Sequence, residues 1–504
     1  MTIQELYGAY TEHLQKIADY NGAIALLHWD NEVNAPPKGA KHRAGQIATL
    51  SASAHELSTS AWFGDILQRL NAQSDKLNAQ EARNVYLSVK DYERATKLPT
   101  DFISRFAKAR ANAYQAWMSA RKANDYQLYK AALREIISLS REKVELFGYE
   151  AHPYDALLDE YEEGMTVAQL EPVFARIKTE LAQYAKDLQA LNQATPNEFL
   201  FKHYAKQSQW DFGVSMLKQI GYDMEAGRQD FAEHPFCTSF SPFDVRVTTR
   251  INENDLTGML GNCIHEGGHA LYEQGLPAEL YGQPLSQAVS LGIHESQSRL
   301  WENHVALGRP FWVANYDKLV SVFPEQLKGI DLETYYKAIN QVKPNLIRVE
   351  SDELHYHLHV LIRYEIEKGL IDGSITVDNL DKVWNEQYQT YLGVQVPDDK
   401  RGVLQDVHWC EGLLGYFPTY SLGSFYSAQF YATAKAHTPN LEAEIAKGNH
   451  KPLLDWLRAN IHQHGRFYTP NELCKQATGE YLNIDYFMEY VREKFGQIYE
   501  PVLA

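Results

Sequence analysis

The pattern of apolar and polar positions over residues 3–230 is that of a long series of amphipathic helices. Apolar residues recur every three or four positions, and short breaks of Pro, Gly, Asn or Asp separate the segments. This spacing places the apolar side chains of each segment on one helical face. Neither an internal repeat nor a low-complexity linker interrupts the series. The predicted helices include 3–22, 38–58, 77–94, 100–123, 126–147 and 167–190.

The pattern changes near residue 234, where β-branched residues begin to alternate with polar ones. Residues 234–250, HPFCTSFSPFDVRVTTR, contain two prolines that bound the alternating stretch. This composition predicts a short β-hairpin directly before the next helix. A strand edge at this place could hold an extended peptide through main-chain hydrogen bonds, although a purely structural hairpin fits the pattern equally well.

The helix that follows carries the motif His265-Glu266-Gly267-Gly268-His269. Two residues four positions apart on a helix differ by about 40° in direction, so both imidazoles can bind one metal ion. Glu266 lies next to the first of them, where a carboxylate can reach a water molecule on the metal without being a ligand. The motif therefore predicts a metal site with Glu266 as a general base.

The ends of this helix and the glycines inside it carry further expectations. Asn254 is the predicted N-cap, and Gly275 with Pro277 forms the predicted stop signal. Gly267 and Gly268 each cost about 1 kcal/mol relative to Ala in a helix interior. We therefore expect a backbone, either of the protein or of a substrate, to pass close to these two glycines.

A zinc site that performs chemistry needs a third protein ligand and one open position. The variant motif with a third histidine on the same segment requires Gly at 272 and His at 275, but the chain has Tyr272 and Gly275. The third ligand should therefore be a carboxylate on a second helix, which is predicted at 284–306, and Glu295 is favoured. The alternatives are Glu302, His294 and Glu273. Glu273 is disfavoured because it lies on the same helix as the two histidines.

After residue 306 the sequence predicts a helix that carries histidines, then loops, and then further helices. A helix is predicted at 345–369, and it holds His355 and His359 at a spacing that also suits a metal. No Glu lies between them, so a role in packing or in lining a cleft is favoured over a second metal site. Gly- and Pro-rich segments between 402 and 420 are predicted to be loops that face a site. Helices are again predicted over 424–500.

Composition excludes several classes of protein. The 504 residues include 44% hydrophobic and 22% charged residues, which is ordinary for a globular protein. The net charge of −17 argues against nucleic acid as a partner. The 4 cysteines show neither CxxC spacing nor the density of a disulfide framework. Without a signal region or an apolar run near ~18 residues, we predict no membrane association and a cytoplasmic location.

Taken together, the motifs resemble the carboxypeptidase Taq family of metallocarboxypeptidases, peptidase family M32. The resemblance extends to the N-terminal LLHWDNEVNAPPKGAKHRAGQIATLSA and to IHQHGRFYTPNEL near the end, so it covers essentially the whole chain. One departure is Ser351, where the family usually has Ala. The motifs that carry the resemblance are HPF, DVRVT, HEGGH, HESQSR, IRVESDE, GVLQDVHW and GYFPTY.

The resemblance implies a mainly α, large multi-helix fold of the neurolysin-like, gluzincin type. It further implies a deep substrate groove, a small β element beside the HExxH helix, and a homodimer. We predict one peptidase unit over residues 1–504, in which 1–230 form a helical groove wall or lid and 231–504 carry the metal site. Family members use zinc, with cobalt as a possible substitute. By position, the resemblance makes His265, His269 and Glu295 the ligands and Glu266 the base.

The implied activity is removal of single residues from the C-termini of peptide substrates, with broad specificity. The oxyanion of such a reaction needs a donor besides the metal, and a terminal carboxylate is best bound by an arginine fork. The predicted oxyanion donors are His408 and Tyr420, with Tyr416 as a replacement for the latter. The predicted carboxylate-binding residues are, in order, Arg348, Arg246 and Arg401, each of which could instead form a structural ion pair.

Two other functions fit the same motif. A zinc oligopeptidase that cuts internally or from the N-terminus would share the HExxH motif and the distant Glu. A peptide-binding protein with a vestigial metal site is a rival of another class. The intact ligands and base argue against the second rival, because a decayed site would usually lose its base first.

Overall fold

The computed structural model describes residues 1–191 and 195–499 and is mainly helical. Before the sheet lie α1 (Ile3–Val33), α2 (Ala40–Ser58), α3 (Ala61–Asn71), α4 (Ala79–Lys97), α5 (Thr100–Ala123), α6 (Gln127–Phe147), α7 (Asp155–Leu158), α8 (Val167–Arg176), α9 (Ala182–Leu191) and α10 (Lys206–Ile220). A π-helical segment, Ile177–Leu181, joins α8 to α9. The amphipathic series predicted from sequence is therefore confirmed, with α1 extending eleven residues beyond its predicted end at 22.

Three strands and four helices follow in the middle of the chain. These elements are β1 (Gly227–Phe231), β2 (Cys237–Ser241), β3 (Asp244–Thr249), α11 (Leu256–Glu273), α12 (Leu291–Arg299), α13 (Arg309–Val322) and α14 (Leu332–Ile339). The last part of the chain returns to helices, as predicted. It contains α15 (His355–Asp372), α16 (Leu380–Gln387), α17 (Phe417–His437), α18 (Leu441–Ile445), α19 (Lys451–Asn460), α20 (Pro470–Thr478) and α21 (Asp485–Tyr499).

The strands form a small sheet in the order β1-β3-β2. β2 and β3 are antiparallel, which confirms the predicted hairpin, and their register shifts between Ser239 and Ser241. β1 pairs with β3 in parallel and was not predicted. Its sequence, GRQDF, contains Gly and Asp, which are depleted in strands, so it gives no local strand signal. The described residues therefore place β2 at one edge of the sheet.

The chain divides into two compact units, each built from separate stretches of sequence. Unit 1 comprises Met1–Thr96, Pro196–Ile339 and Tyr426–Leu482, and it contains the sheet, α11 and α12. Unit 2 comprises Lys97–Thr195, Asn340–Phe425 and Asn483–Ala504. The predicted division of a single peptidase unit at residue 230 stays a prediction. None of the helices in the described ranges combines the length and apolar character that crossing a membrane requires.

The start of α11 corrects the predicted cap. The N-cap is Asp255, not Asn254, because the Asp255 carboxylate accepts a hydrogen bond from the Thr257 amide at 2.9 Å. The helix ends at Glu273, just before the predicted stop at Gly275. Its apolar stripe is buried, so α11 is held on the core of unit 1 with its histidines at the edge of that stripe.

The predicted helix at 284–306 begins later than expected. Pro284–Ser286 form only a 3-10 turn, and α12 starts at Leu291 with Ser290 as its N-cap. The Ser290 hydroxyl accepts a hydrogen bond from the Ile293 amide at 3.0 Å, which fixes this start. Beyond Arg299 the helix continues through a π-helical segment, Leu300–Ala306.

Two boundaries in unit 2 also differ from the prediction. The helix expected at 345–369 begins only at His355, because the Asp352 carboxylate accepts hydrogen bonds from the amides of Leu354 and His355 at 2.9 and 3.0 Å. The IRVESDE motif before it therefore lies in a 3-10 turn and loop. Tyr420, expected in a loop, lies in the first turns of α17.

Gly267 and Gly268 of α11 face different neighbours, so each is required for a different reason. A Cβ atom at Gly268 would lie 2.6 Å from the carbonyl oxygen of Gln297 and from the Cα of Ser298, so the backbone of α12 crosses α11 at this point. A Cβ at Gly267 would meet the side chains of Leu217 and Ile220 in α10 at 2.7 and 3.0 Å. The expectation of a close backbone is correct for Gly268 and wrong for Gly267, which makes room for side chains.

We expect Gly268→Ala to destabilise unit 1 by about 1–3 kcal/mol, because backbone atoms at 2.6 Å cannot move aside as a flexible side chain can. The matched control is Gly261→Ala in the same helix, where a Cβ would have no neighbour within 4 Å. This control should be neutral or gain up to ~1 kcal/mol from helix propensity. Urea unfolding of both variants measures the difference, and equal stabilities would contradict the proposed backbone contact.

Candidate metal centre

The side chains of His265, His269 and Glu295 converge in unit 1. Their ligand atoms all lie within 4.8 Å of one another, and no other such group of three occurs in the described ranges. The Nε2 atoms of His265 and His269 lie 3.7 and 3.4 Å from Oε2 of Glu295. Two imidazole nitrogens and a carboxylate oxygen form the donor set of catalytic zinc sites. The residues present therefore fit a divalent metal, and the structure brings Glu295 rather than Glu302 or His294 into the group.

Glu302 orients the first histidine. Its Oε2 lies 2.8 Å from Nδ1 of His265, and an ionised carboxylate can only accept at that distance. The proton of a neutral His265 is then on Nδ1, so its Nε2 lone pair points at the group. Glu302, which the sequence offered as an alternative ligand, thus contacts His265 at the nitrogen that faces away from the ligand group.

The second histidine has a different partner. Nδ1 of His269 lies 2.5 Å from Nδ1 of His294, and Nε2 of His294 lies 2.8 Å from Oε1 of Glu273. The two remaining alternatives from sequence therefore lie behind His269 as a chain of hydrogen bonds. Glu273 is linked to His269, one turn away on α11, because the ring of His294 from α12 lies between the two side chains.

Arg299 holds the third side chain in place. Its Nε donates to Oε1 of Glu295 at 2.7 Å, and its Nη1 donates to Oε2 of Glu302 at 3.1 Å. The Ser298 hydroxyl donates to Oε2 of Glu295 at 3.1 Å. Burial raises the pKa of Glu295, but Arg299 and the two imidazoles outweigh it and hold this pKa well below its usual range. Glu295 is therefore an ionised carboxylate at neutral pH.

Burial and neighbouring charges shift the pKa values of Glu266, His265 and His269 to different extents. Burial, only partly offset by His265, raises the pKa of Glu266 to about 7. Burial lowers the pKa of His265, yet Glu295 and Glu302 together raise it to about 9. Burial lowers the pKa of His269 to about 4. A carboxyl with a pKa near 7 can both take up and release a proton at neutral pH, which suits Glu266 for acid–base chemistry.

A cavity of about 700 Å³ lies in unit 1 beside the sheet. β2 and the following Pro242 line one wall, and the other lining residues come from α1, α2, α3, α4, Glu273 and the segment 281–288. In the described sheet β2 pairs only with β3, so no strand occupies its outer edge. The strand edge predicted from sequence therefore borders a space large enough for several residues of an extended peptide.

Comparisons with known proteins assign this chain to a family. A family model described as carboxypeptidase Taq (M32) metallopeptidase matches residues 9–495. The chain belongs to the M32 metallopeptidase family. It is 39% identical over 511 residues to thermostable carboxypeptidase 1 of Thermus thermophilus, covering 99% of this chain and 100% of that protein. It is 37% identical over 499 residues to carboxypeptidase 1 of Bacillus subtilis, with coverage of 99% and 100%.

Solved structures agree with this assignment. The crystal structure of the M32 carboxypeptidase from Deinococcus radiodurans matches with a TM-score of 0.96 and 40% identity, over 98% of this chain and 100% of that one. Because its relatives are carboxypeptidases of the M32 family, this protein is a peptidase. The mainly helical fold with a small sheet, predicted from the sequence resemblance, is confirmed.

The predicted oxyanion donors of this M32 peptidase meet within unit 2. Nε2 of His408 lies 3.1 Å from the hydroxyl of Tyr420, and the ring of Tyr416 lies 5.3 Å from that of Tyr420. Burial lowers the pKa of His408 to about 3, so its ring is neutral at pH 7. A neutral His408 carries one proton, which can orient the phenol of Tyr420.

Arg348 is the most enclosed of the predicted carboxylate-binding arginines, with 5% of its surface exposed. Its Nε and Nη2 donate to Oδ1 of Asp406 at 3.2 and 2.9 Å, and its Nη1 donates to the hydroxyl of Tyr356 at 2.9 Å. A guanidinium has five N–H groups. Among the described residues, two of them, one on each terminal nitrogen, therefore remain for a carboxylate that approaches end-on.

The other two arginines have close acidic partners. Arg246 forms two hydrogen bonds of 2.8 Å with Asp244, and its guanidinium lies 4.5 Å from the ring centre of Trp29. Arg401 is exposed and pairs with Asp398 at 2.6 Å. Their ranking after Arg348 stays a prediction.

Among the described residues, His355 and His359 of α15 belong to no group of three potential metal ligands. Nδ1 of His355 lies 2.7 Å from Asp352, and His359 contacts the hydroxyl of Tyr388 and the carbonyl of Asn345 at 2.9 and 3.0 Å. Both rings are buried. His355 and His359 therefore pack and form hydrogen bonds inside unit 2.

We expect Glu295→Ala to lose the metal, because removing one of three ligands opens the site to water. Glu302→Ala should retain metal with weaker affinity, since it removes a hydrogen-bond partner of His265 and of Arg299 but no ligand. Metal content after dialysis, measured beside the circular dichroism of each variant, decides the case. Stoichiometric metal in Glu295→Ala together with its loss from Glu302→Ala would exchange the two roles.

Proposed function

We propose that this M32 peptidase is a zinc-dependent carboxypeptidase that removes single residues from peptide C-termini with broad specificity. The observation that carries the proposal is the convergence of two Nε2 atoms and a carboxylate oxygen beside the buried Glu266. The names of the Thermus and Bacillus relatives support action at the C-terminus. A homodimer and a cytoplasmic location belong to the proposal as well, on the family resemblance and on composition.

The assigned ligands are His265, His269 and Glu295, with Zn²⁺ as the ion and Co²⁺ as a possible substitute. When bound, the ion supplies Lewis acidity, which polarises the scissile carbonyl and makes a water molecule acidic near neutral pH. Two imidazoles and one carboxylate leave at least one position open for that chemistry.

Glu266 is assigned as the general base. It would accept the proton of the attacking water and pass it to the nitrogen of the leaving amino acid as the peptide bond breaks. Its pKa of about 7, raised mainly by burial, places both its protonated and its ionised form within reach at neutral pH. No other carboxylate on α11 has this combination: Glu273 is occupied by His294.

His408 and Tyr420 are assigned to stabilise the oxyanion. A neutral His408 that donates to the Tyr420 oxygen would fix the phenol, whose own proton is then the donor to developing negative charge. Tyr416, packed against Tyr420, is the replacement candidate.

Arg348 is assigned to the terminal carboxylate of the peptide, followed by Arg246 and Arg401. Asp406 and Tyr356 hold the Arg348 guanidinium on one side, so it is fixed in orientation before a substrate arrives. The outer edge of β2 is assigned to the main chain of the extended peptide.

A zinc oligopeptidase that cuts internally would differ in its products. Peptides blocked at the N-terminus should release free amino acids from their C-termini, whereas peptides blocked at the C-terminus should resist cleavage. Internal fragments from doubly blocked peptides would favour the oligopeptidase instead.

We expect Glu266→Gln to keep the metal but lose turnover. Gln has nearly the same shape and cannot accept the proton, and loss of a general base costs about 10²–10⁴-fold in rate. Zinc content and kcat are measured on the same preparation. Full zinc with more than about a tenth of the wild-type rate would reject Glu266 as the base.

A second experiment tests Arg348 against the peptide carboxylate. Amidation removes the charge and sets an NH2 group against a guanidinium that has no acceptor, so kcat/KM should fall by about 10²-fold or more. Arg348→Ala should lose a similar factor on free-acid peptides and little more on amidated ones, because two partners of one contact are not additive.

Measuring both enzymes on both peptides completes the cycle. Additive losses would mean that Arg348 does not contact the carboxylate, and Arg246→Ala and then Arg401→Ala would be tested in the same way. Since Arg348 also binds Asp406, the thermal midpoint of Arg348→Ala and its kcat/KM on amidated peptide separate a folding defect from lost recognition.

A further inference from the structure

His294 lies between a candidate metal ligand and a carboxylate without joining the ligand group. Its Nδ1 is 2.5 Å from Nδ1 of His269, and its Nε2 is 2.8 Å from Oε1 of Glu273. The ring centres of His269 and His294 lie 4.6 Å apart, and the ring centre of Tyr272 lies 5.3 Å from that of His294. His294 is therefore held at both nitrogens by groups of α11.

The protons along this chain can be assigned from the contacts. Nε2 of His269 faces Glu295, so its lone pair is free for a metal only if the ring proton is on Nδ1. Two Nδ1 atoms at 2.5 Å share one proton between them, so His294 then accepts. A neutral His294 must carry its own proton on Nε2, where the Glu273 carboxylate accepts it. Each link has one donor and one acceptor.

We propose that His294 and Glu273 form a relay that holds His269 in the tautomer and orientation required to bind the metal. They are positioning residues, and neither is a ligand. This inference rests on the proposed metal site. It also makes the two ligand histidines unequal, because Glu302 contacts His265 directly whereas Glu273 acts on His269 through an intervening imidazole.

The relay is built from both helices, which explains why its members come from distant positions. His269 and Glu273 are one turn apart on α11, and the ring of His294 enters from α12 to join them. Gly268, where the backbones of the two helices meet, allows this insertion. The hydroxyl of Tyr272 accepts a hydrogen bond from the Val289 amide at 3.1 Å, which fixes the segment leading into α12.

The test measures zinc affinity rather than turnover, by titrating the metal-free protein with Zn²⁺ in competition with a chelator. His294→Leu removes both nitrogens and should weaken zinc binding by about 10–100-fold, the usual effect of losing a group that orients a ligand. His294→Gln keeps one acceptor and one donor and should restore most of the affinity. Glu273→Gln keeps an acceptor without its charge and should give a smaller loss.

Two comparisons separate the relay from a structural role. Zinc losses in Glu273→Gln and His294→Leu should not add in the double variant, because both changes break one chain. The control is His13→Leu, which removes a buried imidazole of α1 that contacts the Leu57 carbonyl, and it should leave zinc affinity unchanged. The thermal midpoint of each metal-free variant reports its folding independently of zinc.

An affinity of His294→Leu within about twofold of wild type would overturn the relay. So would a loss in His294→Gln as large as that in His294→Leu, or three imidazoles around the ion by X-ray absorption. If His294→Leu does not fold, near-normal zinc binding by Glu273→Gln or strong loss in His294→Gln overturns the proposal equally. Glu295→Ala distinguishes the cases: retained zinc there rejects the ligand set itself, whereas lost zinc with an unaffected His294→Leu rejects the relay alone.

Discussion

The close crossing of α11 and α12 at Gly268 is the constraint on which the candidate metal centre depends. With backbone atoms of Gln297 and Ser298 only 2.6 Å from where a Cβ would be, no other residue fits at this point without displacing α12. The crossing sets Glu295 opposite two histidines that α11 already presents on one face. It also brings His294 and Arg299 within reach of the same cluster. Because Gly268 has no side chain, α11 and α12 can approach closely, and this short distance sets the geometry of the site.

Electrostatics explains why this cluster favours a cation. Glu295, Glu302 and Glu273 are all largely withdrawn from water, and burying carboxylates is costly unless their charge is met. Arg299 forms ion pairs with Glu295 and Glu302. Glu273 accepts a hydrogen bond from the His294 imidazole. The raised pKa of His265, caused by Glu295 and Glu302 against the effect of burial, reflects this surplus of negative charge. A divalent ion between the Nε2 atoms would satisfy the same surplus.

Unit 2 uses buried charge for a different purpose. Asp406 bridges the guanidinium groups of Arg348 and Arg363 at 2.9 and 2.6 Å, and the arginines lower its pKa strongly although burial alone would raise it. Glu367 accepts hydrogen bonds from Trp409 and from the Gly415 amide at 2.8 and 2.9 Å. These two carboxylates hold the chain on either side of His408. Since breaking a buried pair leaves an uncompensated charge, the loop that carries His408 is firmly placed.

The sequence by itself determined the local features of this protein. Helical periodicity located the long amphipathic helices, alternation located the β2–β3 hairpin, and the HEGGH spacing placed two imidazoles and Glu266 on one helix. Each of these depends on residues within about one or two turns of each other, so a local pattern contains the whole signal. Family motifs extended this to the metallopeptidase assignment, which the comparisons confirmed.

Tertiary structure decided whatever depends on contacts between distant segments. Glu295, Glu302, His294 and Glu273 were all candidates for one ligand position, and only the crossing of α11 and α12 separated one carboxylate facing the histidines from three side chains behind them. The pairing of β1 with β3 and the burial of Arg348 against Asp406 likewise join residues that no local pattern connects. Hydrogen-bond partners across helices are set by where backbones can approach, and that is a property of packing rather than of spacing along the chain.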